Sequence, residues 1–165
     1  MIGPETRLPE AKAVRDLLIG TAGRDVSLTV DGEGLDPGAP GGAVVAEYVT
    51  DLGHSVALIA LDLPLAAHLG AALGLVPPAV SQEAVRDGYL SDDLLDNAYE
   101  VLNIAGSLFN VGDAPHVRLI EGLYDTSSAP LPAEIDRWLR GYVPRLDAAC
   151  EVRGYGAGRL SVLLR

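Results

Sequence analysis

The segment SDDLLDNAYEVLNIAGSLFN, Ser91 to Asn110, is the clearest amphipathic stretch of the chain. Leu94, Leu95, Ala98, Val101, Leu102, Ala105, Leu108 and Phe109 recur at three- and four-residue spacing and predict one apolar stripe along a helix. Asp96, Glu100, Asn103, Ser107 and Asn110 step by four, three, four and three residues, which aligns them on the opposite side. A surface helix ordinarily sets Lys or Arg four residues from its acids. Here no basic residue lies between Asp87 and His116, so the polar line is uncompensated within its own helix. Asn103 also stands mid-helix, where Asn costs about 0.5 kcal/mol relative to Ala because its amide competes for the backbone.

Working outward, the 165 residues are enough for one domain with a real core, and 48% of them are apolar, which excludes a disordered chain. Aromatic residues are scarce, so Ala, Val and Leu must build that core. The net charge of −11 repels nucleic acid and anionic membranes, and neither is expected as a partner. An acidic surface suits a partner with a basic patch or an exposed lysine. The single cysteine, Cys150, has no internal partner for a disulfide. No signal-like opening and no long apolar run is present, and a cytoplasmic protein is the expectation.

In chain order, Pro9 to Thr21 predicts a helix, Asp25 to Val30 a strand, and Asp31 to Gly42 a flexible glycine- and proline-rich loop. Gly42 to Thr50 and His54 to Leu61 predict an antiparallel hairpin across Asp51-Leu52-Gly53. Asp62 is placed as the N-cap of an Ala- and Gly-rich helix with Pro64 in its first turn and Gly74 at its stop. Ser81 is placed as the cap of a short helix, SQEAVRDG. Pro115 to Tyr124 predicts a strand, Pro132 opens a short helix, and Arg145 to Gly154 and Arg159 to Leu164 predict the last two strands around a Gly154–Gly158 turn. Strands flank helices without strict β-α-β alternation, so the expected class is α+β with a mainly antiparallel sheet.

Rival sites are poorly supported. Gly154-Tyr155-Gly156-Ala157-Gly158 lacks the Lys-Ser/Thr of a P-loop and the helix of a dinucleotide turn, and reads as a hairpin turn. His54, His68 and His116 have no ligand-type neighbours at metal spacing. Asp31, Glu33 and Asp36 lack the frame of an EF-hand, so no resident metal is expected. Cys150 lacks a local base and reads as a buried structural residue. No Gly-x-Ser-x-Gly elbow occurs.

Asp96-x3-Glu100-x2-Asn103, followed by Ile104-Ala105-Gly106, resembles the signature helix of the CheC/CheX/FliY family of chemotaxis response-regulator phosphatases. His54 to Gly74 is similar to the strand-then-helix unit that precedes it in the family. The resemblance implies a CheX/CheC-like α+β domain spanning residues 1–165, with about six strands and two long helices packed on them. It implies two-component, or chemotaxis, signalling, with hydrolysis of the aspartyl phosphate of a CheY-like regulator or phospho-dependent binding to it. Asn103 would orient the attacking water and Glu100 would pair with the regulator's lysine. Asp96 fills the motif's first position and would cap or dock, and the helix face itself, not the resemblance, adds Ser107 and Asn110 as an extension of the contact. No cofactor of its own is implied, Mg²⁺ being expected on the phosphorylated regulator. The motif occurs once, similar to one-site CheX and not to two-site CheC, and a homodimer paired through the sheets is the matching expectation. The family's downstream proline does not fall at its usual spacing, Pro130 and Pro132 coming late. The alternative is a non-catalytic docking or structural module of the same fold, as in flagellar switch components.

Overall fold

The computed structural model describes residues 5–165. Thirteen elements follow one another: α1 (Ala11–Ala22), β1 (Val26–Val30), β2 (Ala43–Thr50), β3 (Ser55–Asp62), α2 (Leu63–Leu73), α3 (Pro78–Asp87), α4 (Asp92–Ala105), a 3-10 turn (Gly106–Leu108), β4 (Val117–Leu119), β5 (Tyr124–Asp125), α5 (Ala133–Leu139), β6 (Arg145–Val152) and β7 (Gly156–Leu164). The strands form one seven-stranded sheet in the order β1-β6-β7-β3-β2-β4, with β5 also on β2. Every pairing is antiparallel. The α+β class and antiparallel sheet are as expected. The sheet has seven strands where about six were expected, because the predicted strand 115–124 splits into β4 and β5, both paired with β2. Gly122, at φ 86°, lies in the bend between them.

Both faces of the sheet are covered, which is why β2 and β3 are nearly continuous apolar runs. On the first face lies the larger core. Val44, Ala46, Tyr48, Ala57, Ile59, Leu61, Ala148, Val152, Leu160 and Val162 from the sheet meet the apolar residues of α1 to α4 there. α2 is buried on nearly all sides, and its small Ala and Gly residues let its neighbours approach closely. Asp62 caps it as expected, its Oδ1 accepting the Leu65 N–H at 3.0 Å. Gly158 explains part of the glycine-rich hairpin: a Cβ there would lie 2.5 Å from Leu65 N, so β7 reaches the start of α2 only without a side chain. α3 begins at Pro78, three residues before the expected cap, since proline at the first turn presets the helical φ. Ser81 is instead fully buried inside α3, facing His68 of α2.

A second core lies on the opposite face. Val45, Leu58, Ala60 and Leu163 meet Ile135, Trp138 and Leu139 of α5 there, together with Leu35. The 31–42 segment has no helix or strand, yet Leu35 and Pro37 are buried and the Pro37 carbonyl accepts the Thr126 hydroxyl. Arg145 pins the end of α5 to the sheet. Its Nη1 donates to the carbonyls of Leu139 and Gly141, while Nε and Nη2 grip Asp147 at 2.7 and 2.8 Å. Burial would push the Asp147 carboxyl up, but Arg145 and the Ser161 hydroxyl outweigh it and hold it below 3.8. A face-to-face pairing of two sheets over β2, β3 and β7 would have to displace α5. Among the described residues no helix is long and apolar enough to cross a membrane.

Candidate functional site

Local chemistry starts α4 at the expected place. The Ser91 hydroxyl accepts the Leu94 N–H at 3.2 Å, and Asp92 and Asp93 in the first turn favour the positive end of the helix dipole. Leu94, Ala98, Val101, Leu102 and Ala105 are buried, as the apolar stripe requires. The rotation of α4 about its axis is then set by two contacts. Asn97 Nδ2 donates to the Gly70 carbonyl of α2 at 3.0 Å, and a Cβ on Gly70 would lie 2.8 Å from the Leu94 carbonyl. At the other end, the hydroxyl of fully buried Tyr48 donates to the Leu102 carbonyl at 2.5 Å. That carbonyl is available because the helix tightens: the Gly106 N–H turns to the carbonyls of Asn103 and Ile104.

With the buried side fixed, Asp96, Glu100, Asn103 and Ser107 are all exposed. Among the described residues, none of these four side chains has a hydrogen-bond partner or an ion pair within 4 Å. Asp92 and Asp93 likewise have no ion pair. The uncompensated face inferred from sequence therefore stays uncompensated after folding. Glu100 and Asn103 are three residues apart, about 4.5 Å along the axis and about 60° around it. Both side chains can reach one partner surface together.

The helical line does not run unbroken to Asn110. The α-helix ends at Ala105, Ser107 sits on the 3-10 turn, and Asn110 lies beyond it. Both polar atoms of the Asn110 amide are engaged by β4, Nδ2 donating to the Val117 carbonyl and Oδ1 accepting the Val117 N–H. Asn110 thus fastens the end of the helical segment to the sheet. One site residue escaped the sequence reading. Ile104 is 37% exposed and lies about 40° from Glu100 around the helix, giving the polar face an apolar flank. Its signals were its place directly after Asn103 and its absence from the buried stripe.

Other chemistry-bearing groups are occupied elsewhere. Cys150 is buried, and burial pushes its thiol up to about 12. Asp31 and Glu33 pair with Arg159, and Asp36 with Arg140. His116 pairs with Asp51 at the surface. His68 Nδ1 lies 3.0 Å from the Ser81 hydroxyl, which itself donates to the Pro78 carbonyl, and burial lowers the imidazole below 6.5. Among the described residues, no three His, Cys, Asp or Glu side chains converge as metal ligands.

By sequence the chain matches no protein-family model and no curated protein. Solved structures of the same shape do match. A chain of the Helicobacter pylori FliM–SpeE complex aligns at TM-score 0.60 and 9% identity over 93% of this chain and 80% of its own. Thermotoga maritima FliY aligns at TM-score 0.55 and 16% identity over 91% and 81%. A chain of the Borrelia burgdorferi CheX–CheY–BeF3–Mg²⁺ complex aligns at TM-score 0.52 and 11% identity over 93% and 94%. The chain has a CheX/CheC/FliY-like fold.

Proposed function

On this CheX/CheC/FliY-like fold, we propose that the chain acts on a CheY-like response regulator, hydrolysing its aspartyl phosphate through Asn103 and Glu100. The observation that carries the reading is the open edge of α4, where Glu100 and Asn103 are both exposed without internal partners. Asn103 carries a donor and an acceptor, which suits it to hold a water in line with phosphorus. Glu100 offers a carboxylate to the lysine of a regulator's acidic site, a charge-assisted bond that sets register. Mg²⁺ and the acyl phosphate belong to the regulator, so this chain's task is positioning. Asp96, Ser107 and the flank at Ile104 widen the contact. One structural neighbour comes from a complex of CheX with CheY, BeF3 and Mg²⁺, which accords with such a partner.

A second reading, docking without hydrolysis, is favoured by the FliM-containing neighbour and by Ile104, an exposed apolar residue that binding uses and water activation does not need. The two readings separate in one experiment. Acyl-phosphate decay on purified phosphorylated regulators is followed with wild type and Asn103→Ala. Hydrolysis predicts faster decay with wild type and a return towards the intrinsic rate with the variant. Equal decay with tight binding in both leaves docking alone.

A further inference from the structure

The two edges of the sheet are built differently. On one, β2 is covered by β4 and β5, of three and two residues, with a bend between them. The other is β1, VSLTV, five residues in regular register with β6 and without proline, lysine or bulge. These are the devices that ordinarily blunt an exposed edge. The Asp25 carbonyl accepts the Arg153 N–H and the Asp31 N–H donates to the Asp147 carbonyl. Alternation in an antiparallel ladder therefore turns the odd residues of β1 towards β6 and the backbone groups of Val26, Leu28 and Val30 outwards. Among the described residues no strand takes them up. Val30 is also 54% exposed.

Beside this edge runs a groove of about 460 Å³ between α1 and β1, lined by Arg15, Ile19 and residues 25–29. One cation, Arg15, and one anion, Asp25, line it. Lys12 and Arg15 share the one carboxylate of Asp16, and Arg15 Nε is buried without a hydrogen-bond partner among the described residues. Arg24 bonds only the Arg153 carbonyl and stacks on Tyr155, while Arg153 and Asp25 neutralise each other. Glu151, opposite Ser27 in register, projects to the other face of the sheet. With Asp25 paired to Arg153 outside the lining, Arg15 is the groove's one unbalanced charge, a cation in a chain with net charge −11.

We infer that the β1 edge and the groove under α1 form a strand-addition site for an extended acidic peptide segment. The segment would pair with Val26, Leu28 and Val30 and place an acidic side chain against Arg15 and an apolar one against Ile19. A second copy of this chain fits less well. Pairing β1 with β1 about Leu28 would bring two Arg15 guanidiniums to one groove and two net charges of −11 together. The site is independent of α4.

The test uses the full ¹⁵N-labelled chain and the probe acetyl-Thr-Val-Thr-Glu-Thr-Val-Thr-amide, followed by amide shifts and amide exchange. The expected result is saturable shifts centred on Val26, Leu28 and Val30, with slowed exchange at those three amides. Replacing Glu by Lys in the probe, or N-methylating its two Val residues, weakens binding at least tenfold. Arg15→Gln weakens the Glu probe and not the Lys probe, with an unchanged melting temperature. The inference is overturned by absence of saturable shifts at β1, by equal binding of the three probes, or by a concentration-dependent dimer through β1 that the probe cannot compete with.

Discussion

Tyr48→Phe isolates one hydroxyl and tests how the signature face is held. The ring stays, as does its tilted stacking on Phe109 at 5.1 Å. What is lost is the bond to the Leu102 carbonyl, in a place where the tyrosine is fully buried and its ionisation is pushed far up by desolvation. The Gly106 N–H is turned to other carbonyls, so the Leu102 oxygen is left with no evident substitute. An orphaned buried acceptor costs about 1–3 kcal/mol. For a chain of this size each kcal/mol lowers Tm by about 2–4 °C, so a fall of about 2–12 °C is expected. Urea unfolding should show a lower midpoint at unchanged slope. Tyr124→Phe is the comparison: its hydroxyl bonds Glu47 at 2.6 Å in a half-buried place, and its loss should cost about 1 kcal/mol. A Tyr48→Phe protein within about 0.5 kcal/mol of wild type would refute the claim that this bond sets the end of α4.

Gly158→Ala should be among the more damaging alanine substitutions in the chain. The new Cβ would lie 2.5 Å from Leu65 N and 2.6 Å from Asp62 Oδ1, so overpacking and loss of the α2 cap together cost about 2–4 kcal/mol, and an unchanged urea midpoint would contradict it. His68 is kept neutral by burial, with its native pKa lowered below 6.5. The unfolded chain therefore takes up that proton first. Its contribution is fully present above about pH 6.5 and declines as pH falls towards the native value, so the urea midpoint drops over this range in wild type and less in His68→Gln. Asp147 is held below 3.8 in the fold, so its stabilisation is present above that value and is lost as pH falls through the lower native one. Asp147→Asn removes the grip on Arg145 at a cost of about 2–4 kcal/mol near neutral pH and flattens the acid limb of the stability curve.

Much of the fold was legible because its signals are local. Asp62 with Pro64, the 43–62 hairpin and the stripe of α4 each carry their structural reason within a few residues. What escaped reading depends on distant partners. α2 is so uniformly small and apolar that periodicity cannot say it is buried on nearly all sides. Leu35 is a single apolar residue in a glycine- and proline-rich segment, and only the second core formed with α5 explains its burial. Ser81 looks like a cap until His68 is placed against it. At the candidate site, the exposure of Glu100 and Asn103 followed from spacing alone. The use of Asn110 by Val117 did not, because the helix had to end at Ala105 first.

The most direct measurement is the dependence of acyl-phosphate loss on the concentration of this protein, with a phosphorylated CheY-like regulator as substrate. Asn103→Ala should lower the maximal rate about 10–100-fold with little change in the concentration for half effect. Glu100→Ala should chiefly raise that concentration, by about 10–100-fold, since it removes a bond to a charged group. If both variants match wild type at every concentration, the open edge of α4 is not where this protein acts on a regulator.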